Sequence, residues 1–465
     1  MTRTALANAL TELHAGNPAR AQTLLRQAIA TDPHDPDAAN LAGMVELELG
    51  AKPSMPTGIL RSLAMAPFEP EFLHNLGLAA LRLDLLQTAS TALKRALALD
   101  PAFADNHLDL GNQRARHGDY GEASRHYARA VALVPERIAS HQNLGWALLA
   151  QGDFRRGFRE YAWRWRDPRF AALRRQLEGA PWDGRRFNGV LLVFAEQGFG
   201  DTLQFSRLIG QASRRALRLV FEVQPELAQL MSRSLAPIEV VARSPGFPFC
   251  GDRPRHDRHA ALLDLPQLLG IDLASLPAAE IPYLIAQPQK QRRWAQRFDL
   301  AAESRRRIGL VWAGNPRPED PAAAEVDRRR SIPMDSLRAL ATVPDVTFVS
   351  LQTGAAAAAA RDADFPLVDL AGDLFDFDET AAVISALDLV LTVDTAVAHL
   401  AGALGRPVWV LSRADGCWRW LTGRSDSPWY PTLRLFRQKT PGAWSDTIEE
   451  VAAALSQRAG RPPER

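Results

Sequence analysis

The chain has 465 residues, 46% hydrophobic and 23% charged, with 55 Lys and Arg against 53 Asp and Glu for a net charge of +2. That length predicts about two to four domains, each with a buried core, and excludes a single small module; the even charge balance excludes a disordered chain and a dedicated nucleic-acid binder. Two cysteines, Cys250 and Cys417, leave no disulfide framework and no Cys-rich metal site, and no apolar run has the length of a signal core or a membrane span, so the expected compartment is the cytoplasm.

The first third is periodic. Gly43, Gly77, Gly111 and Gly145 recur every 34 residues, as do Pro33, Pro67, Pro101 and Pro135. Small residues Ala28, Ser62, Ala96 and Ala130 keep the same phase, with the bulkier Ile59, Leu93, Tyr127 and Tyr161. The pattern resembles the tetratricopeptide repeat, a helix-turn-helix unit. In it each Gly permits close helix approach and each Pro breaks the chain before the next unit. Units are predicted at 2–35, 36–69, 70–103, 104–137 and 138–171, the first a cap and the last, with Gly157 and Arg164 at small-residue positions, a docking unit for the next domain. Such solenoids offer a groove to a polypeptide, or serve as a spacer or dimer surface.

Between Arg155 and Arg186 ten Arg face four acidic residues, with Trp163, Trp165 and Trp182 interleaved. Basic and aromatic residues together suit nucleic acid. In a nearly neutral chain they read instead as a junction in which Arg stems cover apolar surface.

Beyond about residue 187 the period stops, and short apolar runs alternate with helical patterns, the texture of buried parallel strands. Strands are predicted at 190–195, 217–223, 238–241, 307–312, 347–351, 366–370, 389–393 and 408–411, in two groups separated by a Pro-rich and charged segment near 277–306. Two doubly wound halves with a cleft between them follow, and ligands in such sheets bind at the C-terminal strand ends. The first exit reads Glu196-Gln197-Gly198-Phe199-Gly200-Asp201-Thr202. Its glycines permit a tight turn, and its Asp201 is either a helix cap or a carboxylate held at the cleft as a general base. No Walker or dinucleotide fingerprint is present. A later exit places Asp394, Thr395 and Ala396 in a strand-to-helix turn with His399 one turn on, a pattern that can hold phosphate by helix amides, a hydroxyl and an imidazole.

These stretches, with Gly309-Leu-Val-Trp-Ala-Gly-Asn315, Arg330-Ser-Ile-Pro333, Ser350-Leu-Gln352, Asp378-Glu-Thr380 and Asp426-Ser-Pro-Trp-Tyr-Pro431, resemble the lipopolysaccharide heptosyltransferase family. The pairing with repeats resembles O-linked N-acetylglucosamine transferases and bacterial flagellin glycosyltransferases. The resemblance implies a GT-B fold of two Rossmann-like halves, acceptor against the first and nucleotide sugar in the second. The expected architecture is thus an all-α tetratricopeptide-repeat solenoid at 1–171, then α/β halves at 172–300 and 301–465. It further implies Asp201 as catalytic base; Gln352, Asp394, Thr395, Ala396, His399, Arg330 and Asn315 as donor-binding residues; and Gln197, Gly198 and Gly200 as the acceptor-side turn.

Two departures stand out. Relatives often carry Gly where Ala396 stands, and a Lys after the Gly309-like strand, where this chain offers Arg328, Arg329 and Arg330. For Arg330, phosphate contact and a solvated charge run are both open. Asp376-Phe-Asp378 reads as helix capping by Asp378, and His256 with His259 lacks a third ligand, so metal-independent chemistry without a cofactor is expected. The run 355–360 is read as a helix former, and Trp418, Arg419 and Trp420 as a border of the donor pocket or as aromatic packing.

The resulting expectation is a cytoplasmic glycosyltransferase that moves a sugar from a CMP-, UDP-, GDP- or ADP-linked donor to Ser or Thr of a protein recruited by the repeats. Flagellin is a candidate acceptor, with no nucleic acid and no membrane span. A transferase acting on lipopolysaccharide or another glycan, and a non-catalytic nucleotide-binding scaffold, are the alternatives.

Overall fold

In a computed structural model, residues 2–50, 54–168, 170, 173, 177–244, 254–276, 281–301 and 306–459 are described. The chain divides into two compact units, Met1–Ala147 and Leu148–Arg465.

The first unit is a run of antiparallel helix pairs: Thr2–His14 with Pro18–Thr31, Pro36–Glu48 with Thr57–Met65, Pro70–Arg82 with Leu86–Leu99, and Ala104–Arg116 with Tyr120–Leu133. Helix Ile138–Ala150 begins a fifth pair and runs across the boundary between the units. Each recurring Pro falls in the turn between pairs, and Pro36 and Pro70 open helices, where a missing N–H costs nothing. Asp35 caps the Pro36–Glu48 helix by accepting from Asp37 N at 2.9 Å and Ala38 N at 3.1 Å. The periodic glycines are contact points. The position of a Cβ on Gly77 is occupied by the Leu93 side chain, that on Gly111 by the Tyr127 ring, and that on Gly43 by the backbone of Ile59. Successive pairs are joined by polar contacts one repeat apart, Asn75 Nδ2 to Asn40 Oδ1 at 2.6 Å and Arg82 to Glu48 at 2.6 Å.

The second unit holds two all-parallel sheets. One comprises β1 (Ala180–Pro181), β2 (Val190–Phe194), β3 (Arg218–Val223), β4 (Glu239–Ala242) and β5 (Arg258–Ala261), in the order β1-β5-β2-β3-β4. The other comprises β6 (Arg306–Val311), β7 (Val346–Ser350), β8 (Leu367–Asp369), β9 (Leu389–Val393), β10 (Val408–Ser412) and β11 (Leu433–Arg437), in the order β11-β10-β9-β6-β7-β8. All eight predicted strands are present, and β1, β5 and β11 are additional. They escaped the apolar criterion because β1 is two residues long, β5 begins Arg-His, and β11 alternates Arg with Leu and Phe. Strand order reverses between β2 and β5 in the first sheet and between β6 and β9 in the second, so each layer has one crevice at its C-terminal edge.

Two local readings change. The cap of helix Phe377–Ser385 is Asp376, whose carboxylate accepts from Glu379 N at 2.6 Å. Asp378 is instead buried and paired with Arg233 and with Lys290, the latter at 2.8 Å, because its position in the first turn points it at a neighbouring helix. The alanine run forms a 3₁₀ helix, Ala355–Asp362, with no fully buried residue and only Ala359 and Ala360 packed against the core, so little burial supports its helix propensity. The Pro-rich and charged segment that separates the two strand groups contains helix Pro288–Ala301, while 277–280 and 302–305 lie outside the described residues.

Segment 148–168, whose period continues that of the repeats, packs with the α/β layers. Phe154 and Phe158 of helix Phe154–Tyr161 are buried against Phe205, Trp418 and Trp429, each burial contributing about 2–3 kcal/mol. Arg164, fully buried, donates to Glu196 and Asp264 at 2.8 Å each, and Trp165 Nε1 donates to Asp264 at 3.0 Å. Within this part of the Arg and Trp stretch the Arg164 and Trp165 head groups are thus used inside the second unit, whereas Arg155, Arg156, Arg159 and Arg166 are exposed. Residues 169, 171–172 and 174–176 of the stretch lie outside the described residues.

Candidate functional site

The crevice of the first sheet is closed by the turn after β2. Gly198 precedes helix Phe199–Phe205, and Asp201 folds back so that its Oδ2 accepts from Gly198 N at 3.1 Å. That is the capping role open to it from sequence. It occupies one oxygen. The other, Oδ1, accepts from Arg419 of the second layer. The turn is braced from beneath: Gln197 Nε2 donates to Tyr161 OH at 2.6 Å, Gln224 Nε2 donates to Gln197 O at 2.7 Å, and Thr202 Oγ1 donates to Gln224 Oε1 at 2.9 Å. Burial raises the Tyr161 phenol to about 12, so it stays a neutral donor and acceptor. Glu196, one residue earlier, is pushed up to about 7 by burial, against the pull of Arg164.

The crevice of the second sheet lies between the exits of β6 and β9. Thr395 is the N-cap of helix Ala396–Ala403 in extended geometry, its hydroxyl 3.1 Å from that of Thr392, so the first amides of this helix open on the crevice. Arg330 crosses from helix Pro321–Arg330: Nε donates to Asp327 Oδ1 at 2.8 Å and Nη1 donates to Asp394 O at 3.0 Å. Its guanidinium fills the space over Gly314, where a side chain would collide with it. Arg330 is thus an element of the crevice wall, neither a solvated charge nor a free cation. Gln352 is buried, and its Oε1 accepts from Trp312 N at 3.1 Å and Ala313 N at 2.9 Å. It shapes the β6 exit rather than offering that oxygen to a ligand. Asn315 stands exposed at the mouth, its Oδ1 accepting from Arg317 N at 3.3 Å.

His399 connects the two crevices. Its ring stacks on Trp420 at 5.1 Å and 14°, and its Nδ1 lies 3.0 Å from Tyr430 OH. Its other edge faces Gly200, where a Cβ would lie 3.0 Å from the ring. A side chain at Gly200 would crowd the contact between the Asp201 helix and the Ala396 helix unless the His399 ring shifted. Burial, reinforced by Arg419 and opposed by Asp394, lowers the imidazole to about 3, so His399 is neutral. The turn that carries Trp420 ends on Leu421 at φ 52°, a strained setting for a non-glycine residue, held by Arg437 Nη2 donating to Trp420 O at 2.8 Å and Leu421 O at 2.7 Å.

The structure thus brings Gln197, Gly198, Gly200, Asp201, Asp394, Thr395, Ala396, His399 and Arg330 to two facing strand exits, with Gln352 behind and Asn315 at the rim. Sequence reasoning left Arg419 undecided, read Tyr161 only as a repeat position and Tyr430 only as part of the Asp426–Pro431 stretch, and missed Gln224, for which the sequence carries no signal. The His256 and His259 rings both lie 2.9 Å from Glu178 O, a structural use. Among the described residues no cluster of three metal-ligating side chains occurs.

Residues 350–412 match the glycosyltransferase family 9 (heptosyltransferase) pattern, a span running from the end of β7 through the Ala396 helix to β10. Over that span the chain is similar to family 9 glycosyltransferases, and the span follows a first unit of helix pairs with the tetratricopeptide-repeat period. Among curated proteins the chain is similar to protein FlbA of Caulobacter vibrioides, 28% identical over 307 residues, covering 61% of this chain and 49% of that protein. The match therefore spans about half the relative's length. Among solved structures it is similar to TTC0263, a tetratricopeptide-repeat protein of Thermus thermophilus, at 22% identity and TM-score 0.34, covering 38% of this chain and 96% of that one. It is also similar to MamA, at 21% identity and TM-score 0.30, covering 35% and 96%. No helix among the described residues is long and apolar enough to cross a membrane.

Proposed function

We propose that the second unit is a GT-B glycosyltransferase that transfers a sugar from a nucleotide donor to a hydroxyl, and that the repeats recruit a polypeptide bearing that Ser or Thr. The observation that carries the reading is the position of the family 9 match: it covers the β9 exit and the Ala396 helix, whose N-terminal amides suit a phosphate. Directly across stands Asp201, a carboxylate at the first crevice. A weak hydroxyl nucleophile must lose its proton as it attacks an anomeric carbon, and a carboxylate within hydrogen-bond reach can accept it. Gln197, Gly198 and Gly200 shape the acceptor side; Thr395, Ala396, Asn315 and the wall built by Arg330 and Gln352 shape the donor side.

The test is mass spectrometry of proteins from cells making the wild-type chain or Asp201→Asn. The expected outcome is a Ser- or Thr-linked sugar on a polypeptide that falls by about a hundredfold or more in the variant, the size expected for a lost general base. Unchanged modification would leave the chain as a nucleotide-binding scaffold, and modification of a glycan alone would transfer the reading to a glycan acceptor.

A further inference from the structure

Arg419 has a position that the motif pattern does not assign. It lies in the turn Trp418–Trp420 after β10, in the donor-side layer, yet its guanidinium reaches Asp201 in the acceptor-side layer. Its Nε donates to Gln204 Oε1 at 2.8 Å, its Nη1 donates to Cys417 Sγ at 3.2 Å, and its head group lies 4.4 Å from the centre of the Trp418 ring. The Arg419 and Asp201 side chains keep 13% and 17% of their surface exposed, so a ligand in the cleft can reach the pair. Four other cations of the second layer pair within that layer, Arg330 with Asp327 and the Asp394 carbonyl, Arg328 with Glu325, Arg329 with Glu325 and Asp415, and Arg413 with Asp415, whereas Arg419 pairs across to the first. Adjacent to Arg419, the Trp420 ring stacks on His399 of the helix whose amides open on the second crevice.

Resting on the transferase reading above, we infer that Arg419 is a partner-exchanging cation: without donor it holds Asp201, and with donor it moves to the phosphate and leaves Asp201 Oδ1 open. Transfer then proceeds in balance. The acceptor oxygen forms a bond to the anomeric carbon as the bond from that carbon to the phosphate oxygen breaks. The hydroxyl proton goes to Asp201, and the electron pair departs with the phosphate beside Arg419. Water later takes the proton from Asp201. The arrangement makes the base available only when a donor is present. It also implies competition, because the phosphate must displace a carboxylate.

Calorimetric titration of the full-length chain with CMP, UDP, GDP and ADP tests this competition, using wild type, Asp201→Asn, Arg419→Ala, Arg419→Lys and the double variant Asp201→Asn with Arg419→Ala. For the nucleotide that wild type binds, Asp201→Asn should bind about tenfold tighter, Arg419→Ala about tenfold weaker, and the double variant no tighter than Arg419→Ala. Arg419→Lys, which keeps the charge, should recover part of the affinity, and the matching nucleoside without phosphate should bind all five proteins alike. Equal nucleotide binding by wild type and Arg419→Ala, or no gain in Asp201→Asn, would overturn the exchange and leave the transferase reading standing. Absence of binding by every nucleotide to both wild type and Asp201→Asn would overturn both.

Discussion

His399 is neutral because it is enclosed, and this has a consequence for stability. Its native value lies at about 3, below the ordinary histidine value of 6.5. The unfolded chain therefore binds a proton that the native chain refuses, and stability is lost as pH falls through the interval from about 6.5 toward 3. At pH 5 the loss is on the order of 2 kcal/mol. Replacement by the uncharged His399→Gln should flatten the difference in urea midpoint between pH 7 and pH 5; an unchanged difference would contradict the enclosure. The positions of Asp201 and Thr395 in the turns after β2 and β9, and of His399 one helical turn further on, were legible because the end of an apolar run and turn chemistry coincide there. Arg419 was not, since its role depends on a carboxylate more than two hundred residues away that only folding brings to it. Gln352 lies just past the end of β7, and its amide oxygen accepts from Trp312 N and Ala313 N, a contact that the sequence does not announce.

Among the elements, the repeats were the most legible, because a 34-residue period fixes which side chains meet whatever the local propensity. The closest approach is in the second pair. A Cβ on Gly58 would meet the Ala39 carbonyl and lie 2.5 Å from Gly43 N, both rigid backbone, whereas one on Gly77 meets the movable Leu93 side chain. Gly58→Ala should therefore cost about 1–3 kcal/mol in the melting transition of the first unit and more than Gly77→Ala. Equal melting of the two variants would contradict the backbone contact. Six of the eight predicted strands were legible for a related reason: β2, β3, β6, β7, β9 and β10 are central parallel strands, buried on both faces, and read as continuous apolar runs, whereas β4 and β8 lie at the sheet edges. β5 is held as firmly, between β1 and β2, but its Arg258 and His259 find partners in Asp183 and the Glu178 carbonyl, so its sequence carries no apolar signature.

At the scale of the molecule, the repeat period and the packing place different limits on the second unit. The period runs on to about residue 171, but Phe154, Phe158, Arg164 and Trp165 are spent inside the α/β layers. A chain beginning at 148 should fold and keep nucleotide binding, whereas one beginning at 172 should expose the Trp418 and Trp429 faces and aggregate or melt well below it. Equal melting of the two fragments would contradict this packing. The central claim is that the second unit binds a nucleotide at the Ala396 helix opposite Asp201. Its most direct test is thermal unfolding of the full-length protein with CMP, UDP, GDP or ADP, read transition by transition. At about 100 times its dissociation constant one of them should add roughly 2.7 kcal/mol to the second unit, raising that transition by several degrees and leaving the repeat transition in place. Four nucleotides without effect on either transition would contradict the account.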